Sequence, residues 1–473
     1  MILLDFCKNK RVGVIGLGKT GKAVVDVLLK SGALVGVYDD VGIDDFKYKG
    51  LDLTLLYSPE GNLFSDDWKK LDVMVVSPGI SMLWPRAHPA VQFAHKHNIL
   101  VTNDVDLFQR QVSGRTTICV SGTNGKSTTT ALIGHVFASA ERKSVLGGNF
   151  GLPVLLTPAD RDFYIFELSS YQLESCRRLG FDTAILLNIT PDHIVRHGGM
   201  HGYVEAKQKI FANFREKSQA IIGVDDDYGP VIEALLVRLG HPNIIPISGA
   251  RVPDAGIGWQ ENNLIDNRYG SYDFVCKSVE TLDGDHNRQN IAASYAACVV
   301  NGIEKQEFCD AVVSFDGLPH RQELIATING VKYINDSKAT NVQSTKQALR
   351  RFSNLILILG GRPKDDGVEK LADYFSKIKY AFLIGEAADD WYKIMRARRV
   401  KCEISNSLDI AVNNAYKMSK LLDADIVLLS PACASFDQFK DFEDRGNEFR
   451  RCVKRIERKT YSSHNGHKNT RDY

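Results

Sequence analysis

The chain has 473 residues, with 59 lysines and arginines against 57 aspartates and glutamates, for a formal charge of +2. That length exceeds one ordinary domain, so two or three are expected, and the near-balance of charge argues against a nucleic-acid or membrane-surface binder. No apolar run approaches the ~20 residues that span a bilayer, MILLDFCKNK is too weakly apolar for a signal peptide, and the nine scattered cysteines lack a CxxC pair, so a cytoplasmic protein with reduced thiols and no membrane insertion is expected.

From Arg11 to Asp39 the residues read as an apolar strand, a glycine turn (Gly16, Gly18, Gly21), an amphipathic helix to Leu29, a second apolar run from Leu34 to Tyr38, and an acid. On residues alone this is a dinucleotide fingerprint, with glycines for close backbone approach and an acid about twenty residues on for a ribose hydroxyl. Taken alone it says NAD and a dehydrogenase. However, only Val73 to Ser77 reads as another clear strand before Thr116, too little to carry both cofactor and catalysis. Polar, unpatterned Gln109 to Arg115 marks a first boundary, giving a domain over 1–110.

The stretch Thr116 to Ala131, TTICVSGTNGKSTTTA, reads as strand, tight loop and helix. Loop amides and the helix N-terminus then converge on one spot, Lys126 adds a point charge, and the hydroxyl of Ser127 or Thr128 offers Mg²⁺ a ligand. Two residues separate Gly122 from Gly125 where the general phosphate-loop pattern has four. A bare glycine turn before a helix is common; a Lys-Ser pair directly after it favours phosphate. Further apolar strands end in Glu167 and in Thr190-Pro191-Asp192-His193. Ligands of open α/β sheets sit at the carboxyl ends of strands, so Lys126, Glu167 and His193 should share one rim, where a carboxylate and an imidazole suit magnesium held jointly with phosphate oxygens. Lys207 faces the same way as Tyr203 and Phe211 on a helix opening near Gly198, at i and i±4. A snorkelling stem is one reading of it. Gly249 to Tyr272 suggests only hairpins.

A linker at Phe315 to Arg321 closes a central domain over 111–317. Beyond it, Val331 to Asn335, Leu355 to Leu359, Ala381 to Ile384 and Ile426 to Leu429 are short apolar strands between helical patterns, a third α/β unit over 318–460. Polar signatures again follow the strands: Asp336 to Asn341, Gly360 to Lys364, and Ser430 to Phe439. A charged helix from Phe439 to Lys459 precedes a tail, 461–473, that reads as disordered.

GTNGKST resembles the nucleotide loop of the Mur ligases and of folylpolyglutamate synthetase, ATP-dependent enzymes that join an amino acid to a carboxylate. GxHNxxN at Gly284 to Asn290, and NDSKATN and LSPACASFDQF in the third unit, resemble the D-glutamate-adding Mur ligases in particular. The resemblance implies three α/β domains: a Rossmann-like N-terminal domain, a central P-loop-type ATPase domain with a mostly parallel sheet, and a Rossmann-like C-terminal domain. It implies an ATP-dependent, ADP-forming amide-bond ligase of peptidoglycan synthesis that adds D-glutamate to UDP-N-acetylmuramoyl-L-alanine through an acyl phosphate. The alternatives are a ligase for another amino acid, an NAD-dependent dehydrogenase and a non-catalytic nucleotide switch.

Carried over by motif, the uridine substrate falls to Gly18, Lys19, Thr20, Ser77, Gly79, Asn149, Ser169 and His193. ATP falls to Gly122, Thr123, Asn124, Gly125, Lys126, Ser127 and Thr128, with Asn287, Asn290, Arg321 and Asp336. D-Glutamate falls to Thr340, Lys364, Ser435 and the backbone near Phe442. Lys126, Glu167, His193, Lys207 and Lys338 carry catalysis. Two Mg²⁺ are implied, held by Ser127, Thr128, Glu167, His193 and Lys207, the last as a carbamate formed with CO₂. The partners are these small molecules, with no nucleic acid, and the working form is a monomer. One departure is the pair Asp40-Val41 where some members carry Thr-Arg, which bears on the uracil contacts.

Overall fold

The computed structural model describes residues 1–40, 67–177, 179–277, 282, 284–363 and 367–466, the side chains of Asp285 and of 461–466 excepted. The chain divides into two compact units, Met1–Phe315 and Asp316–Tyr473. This division falls at the start of the segment read as the second linker.

The first unit holds two sheets. The smaller is wholly parallel, in the order Leu34–Tyr38, Arg11–Ile15, Val73–Val76, Leu100–Thr102. Its last strand is only three residues long, too short to show a periodicity in the sequence. The larger sheet runs Asp273–Lys277, Asn263–Asp266, Ile257–Gln260, Ile244–Ile247, Gln219–Gly223, Thr183–Leu186, Thr116–Ser121, Phe163–Glu167, Ser144–Gly148. It is parallel apart from the first two pairings, which are the hairpins read from the glycine-dotted segment. The strand Thr116–Ser121 alternates as a strand buried on both faces must: Ile118 and Val120 enter one core with Leu132, Ile133 and Val136, while Cys119 enters the other.

That second core joins the two sheets. The helix Asp104–Gln111 lays Phe108 against Tyr164 and Phe166, with centroids 4.9 Å from each. Asn103 begins this helix. Its Oδ1 accepts from the Asp106 amide at 3.0 Å, and its Nδ2 donates to the Gln172 carbonyl at 3.0 Å and the Ser175 hydroxyl at 2.9 Å. One buried amide therefore caps a helix and ties it to the next element.

The second unit is a six-stranded sheet, Glu323–Ile328, Val331–Asn335, Ile426–Leu429, Leu355–Gly360, Ile378–Ile384, Cys402–Ile404, antiparallel only in its first pair. The edge strand Glu323–Ile328 was not anticipated. The helix expected from Phe439 to Lys459 runs from Phe442 to Gly466. Asp441 accepts from the Asp444 amide at 2.8 Å, which sets the start. No glycine or proline interrupts the chain between Gly446 and Gly466, so extension continues into the expected tail; residues 467–473 lie outside the described ones. All nine cysteines are free thiols. Among the described residues no helix is long and apolar enough to cross a membrane.

Replacing Asn103 by alanine removes a helix cap, worth about 1 kcal/mol, and two further buried hydrogen bonds, at about 1 kcal/mol each. Asn103→Ala should lower the urea midpoint of the first unit, and Asn103→Asp, which keeps the cap acceptor but loses both donors, should fall between it and the parent. Equal midpoints for all three would contradict this role.

Candidate active site

The strand Thr116–Ser121 and the helix Lys126–Ser139 bracket a four-residue loop. Gly125 sits at φ 85° as the helix N-cap, a conformation that favours glycine. A Cβ there would lie 2.2 Å from Oδ1 of Asn290, so the position admits no side chain. Asn290 thus backs the loop, donating to Oδ1 of Asn287 at 3.3 Å and accepting from the Thr129 hydroxyl at 3.3 Å.

The loop's amides do not all converge on one spot as expected. Thr123 N–H donates to the carbonyl of Asn188 at 2.8 Å, and Asn124 N–H to its Oδ1 at 2.9 Å, while Asn188 Nδ2 donates back to the Asn124 carbonyl at 3.2 Å. Asn188 follows the neighbouring strand Thr183–Leu186 and holds the loop as a backbone clamp. The donors left to face a phosphate are the first-turn amides of the helix, beginning at Gly125, which have no intrahelical acceptors.

Two lysines converge on the Gly122 carbonyl. Lys126 Nζ donates to it at 2.9 Å and to the Thr123 carbonyl at 2.8 Å; Lys207 Nζ reaches it at 2.6 Å. Lys207 lies on the helix Met200–Gln208 and is almost fully buried with Tyr203 and Phe211, the shared face that the spacing predicted. Burial first, and then the charge of Lys126, hold its amine well below the usual lysine range, against the opposing pull of Asp192 and Glu167. The snorkelling reading fails, since the ammonium does not reach solvent.

Glu167 closes the strand Phe163–Glu167, is buried, and accepts from Asn149 Nδ2 at 2.8 Å through Oε1. Its Oε2 is buried with no hydrogen-bond partner among the described residues. His193 has an exposed ring 5.1 Å from that of Tyr171 and 3.5 Å from Asp192. Tyr203 OH lies 3.0 Å from the Thr123 hydroxyl. Ser169 is engaged in a capping box with Gln172.

On the smaller sheet, Ser77 donates to the Gly16 carbonyl at 2.6 Å, and the Leu17 amide donates to Asp39 at 2.5 Å. The acid read as a ribose ligand therefore braces its own loop. Lys19 donates to the Gly151 carbonyl at 3.3 Å. Gly18 and Gly79 face open space, and Thr20 follows on the helix Lys19–Lys30. Arg196 joins the two sheets, donating to the Ile80 carbonyl at 3.0 Å while pairing with Glu174 at 2.7 Å. His88 accepts from the Ala90 amide through Nδ1, so Nε2 carries the proton and donates to Asp40 at 3.2 Å. Val41 lies outside the described residues.

The second unit gathers its own strand-end groups. Asp336 is buried and pushed up to about 7, by burial first, although the Ser430 hydroxyl at 2.8 Å, Arg321 and the Gln322 amide oppose this. Lys338 stands over the Phe442 ring at 5.8 Å. The Phe442 carbonyl accepts from the Ser337 hydroxyl at 2.8 Å, Thr340 precedes the cap residue Asn341, and Ser435 is buried. Lys364 lies outside the described residues.

Three family models match in order: the Mur ligase MurD-like N-terminal domain over residues 10–103, the Mur ligase middle domain over 120–298, and the Mur ligase glutamate ligase domain over 320–433. A UDP-N-acetylmuramoylalanine–D-glutamate ligase of Rhodospirillum rubrum is 39% identical over 448 residues, covering 93% of this chain and 94% of its own. This chain belongs to the Mur ligase family. A ligase of the same name from Caulobacter vibrioides is 39% identical over 464 residues, 96% of this chain and 97% of its own. Solved Mur ligase structures share the fold: the UDP-N-acetylmuramate-alanine ligase of Thermotoga maritima at TM-score 0.56, 14% identity, and 94% and 99% coverage of the two chains, and the MurF ligase of the same organism, in complex with ADP, at 0.55, 17%, and 96% and 98%.

Within this Mur ligase the residue that sequence reasoning missed is Asn188. It follows a strand with no motif of its own, and only the strand order, which seats Thr183–Leu186 beside Thr116–Ser121, brings it to the loop. Asn188→Ala keeps the backbone carbonyl that holds the Thr123 amide but frees the Asn124 amide and carbonyl, and should raise the apparent KM for ATP about tenfold, equivalent to about 1.4 kcal/mol, with little change for the other substrates. Initial-rate measurements with each substrate varied in turn check this.

Proposed function

We propose that this protein is the ATP-dependent ligase that adds D-glutamate to UDP-N-acetylmuramoyl-L-alanine in peptidoglycan synthesis. The observation that carries the reading is the match, along nearly the whole of both chains, to relatives named for that reaction. The Gly122–Lys126 loop supports it, since a glycine N-cap followed by a helix N-terminus and an adjacent lysine suits a phosphate.

A carboxylate is a poor acyl electrophile, so the chemistry needs activation. In the proposed sequence a carboxylate oxygen of the uridine substrate attacks the γ-phosphorus of ATP and ADP leaves. The amine of D-glutamate then adds to the acyl phosphate carbonyl, loses a proton, and expels phosphate as the amide forms. Lys126 and the first-turn amides beyond Gly125 suit the charge that builds on the transferred group. Two Mg²⁺ ions, when bound, would neutralise phosphate oxygens. The donors fit hard cations: the buried, unpartnered oxygen of Glu167, the hydroxyls of Ser127 and Thr128, and His193. No group of three His, Cys, Asp or Glu among the described residues forms a ready cage, which suits ions that take most of their ligands from phosphate and water.

The uridine substrate is assigned to Gly18, Lys19, Thr20, Ser77 and Gly79, with Asn149, Ser169 and His193; Asn287, Asn290, Arg321 and Asp336 complete the ATP assignment. Thr340, Lys364, Ser435 and Phe442 are assigned to D-glutamate, with Lys338 near its amine. The domains are proposed as 1–110, 111–317 and 318–460, in a cytoplasmic monomer.

Lys207 is proposed to react as a carbamate. Its neutral amine adds to CO₂ and releases one proton, placing an anion beside Lys126, and the remaining N–H stays available to the Gly122 carbonyl. The depressed basicity of the amine supplies the free base that this needs.

D-Glutamate, and not L-glutamate, should stimulate phosphate release from ATP, and only with the uridine substrate present. A release indifferent to the amino acid would contradict the reading. Lys207→Ala should lose at least about a hundredfold in rate and recover part of it with millimolar formate or acetate, whereas Lys207→Arg should not respond. Activity of Lys207→Ala equal to the parent would remove the carbamate.

A further inference from the structure

Arg445 is the largest fully buried charged side chain among the described residues. It lies in the helix Phe442–Gly466 and is 1% exposed. Its Nε donates to the Ser337 hydroxyl at 3.0 Å, and its Nη2 to the carbonyls of Ser337 at 2.9 Å and Cys433 at 3.1 Å. Every one of these acceptors is neutral. Nη1 is buried with no acceptor among the described residues, and it faces Gly361, where a Cβ would stand 3.2 Å from it. Asp336 and Asp437 act on the guanidinium only as nearby charges, and burial lowers its pKa to about 10.

A buried cation without a contacting anion costs several kcal/mol, and a well-packed neutral side chain of similar volume is often as stable or more so. Holding Ser337 to Cys433 needs only donors, which a neutral amide also supplies. The charge is therefore the property that the local packing does not require. Three strand-end loops meet at it, those after Asn335, Gly360 and Leu429, and each carries a residue assigned to the amino acid, Thr340, Lys364 and Ser435 in turn. A dicarboxylate arriving at these strand ends would meet an uncompensated positive field in a low-dielectric surround, where such a field is strong.

We propose that Arg445 is a positioning residue for the amino-acid substrate, tying the Ser337 and Cys433 loops at a fixed spacing and lending the site the positive charge that selects a dicarboxylic amino acid. The inference rests on the function proposed above. The test compares Arg445→Gln, Arg445→Met and Arg445→Lys with the parent in full-length enzyme, by initial rates with each substrate varied and by melting temperature without ligands. Arg445→Gln and Arg445→Met should raise the KM for D-glutamate about tenfold or more, with the KM for ATP and for the uridine substrate within about twofold; Arg445→Gln, which keeps a donor, should hold the ligand-free melting temperature, whereas Arg445→Met, which keeps none, lowers it. Arg445→Lys keeps the charge but loses the fork, so its KM for D-glutamate should rise less. A D-glutamate KM unchanged in a folded variant, or a lowered melting temperature with all three KM values rising together, would overturn the proposal and leave a structural tie. If the neutral variants do not fold, Arg445→Lys decides on the same two readouts. Failure of the underlying function would look different, since the parent enzyme itself would then not respond to D-glutamate.

Discussion

Two lysine amines donating to the single carbonyl of Gly122 is the contact on which the rest of the first unit's site depends. Lysines brought this close repel, and the carbonyl offsets only part of that. The arrangement persists because Lys207 is buried on a helix face whose other members, Tyr203 and Phe211, are core residues. Packing thus places an amine where a second positive charge is disfavoured, and a site of this kind is poised for anions. A polyphosphate, a carboxylate or a carbamate each relieves it.

Around that carbonyl the sheet order does the positioning. Strands ending in Ser121, Glu167 and Leu186 are neighbours, so the Gly122–Gly125 loop, the buried Glu167 and the Asn188 clamp stand side by side with no long-range device beyond parallel pairing. The smaller sheet is held to this rim by Asn103, Phe108 and Arg196, which gives the glycine turn after Ile15 a fixed relation to that loop. In the second unit the same rule holds: polar loops follow Asn335, Gly360 and Leu429, and Arg445 fastens two of them from beneath.

Most of this architecture was legible because hydrophobic runs flanked by glycines report parallel strands directly. Thr116 to Ala131 read correctly as strand, loop and helix, and the i±4 spacing put Lys207 on the buried face. The strand Leu100–Thr102 was too short to leave a pattern. The hairpin Glu323–Ile328 with Val331–Asn335 does carry a signal, since Asn329-Gly330 is a preferred two-residue turn and both residues have positive φ. Asn188, Arg445 and the capture of Asp39 by the Leu17 amide were not readable: each depends on which backbone atom a distant element presents, and no local spacing encodes that.

The account's central claim is that the Gly122 rim transfers a phosphoryl group onto a substrate carboxylate. The most direct measurement follows a heavy oxygen isotope placed in the alanine carboxylate of the uridine substrate through one turnover with ATP and D-glutamate, using mass spectrometry of the released phosphate. The account predicts that one labelled oxygen appears in inorganic phosphate and the other stays in the new amide. Label that remains wholly outside the phosphate, with ADP formed at the normal rate, would contradict it.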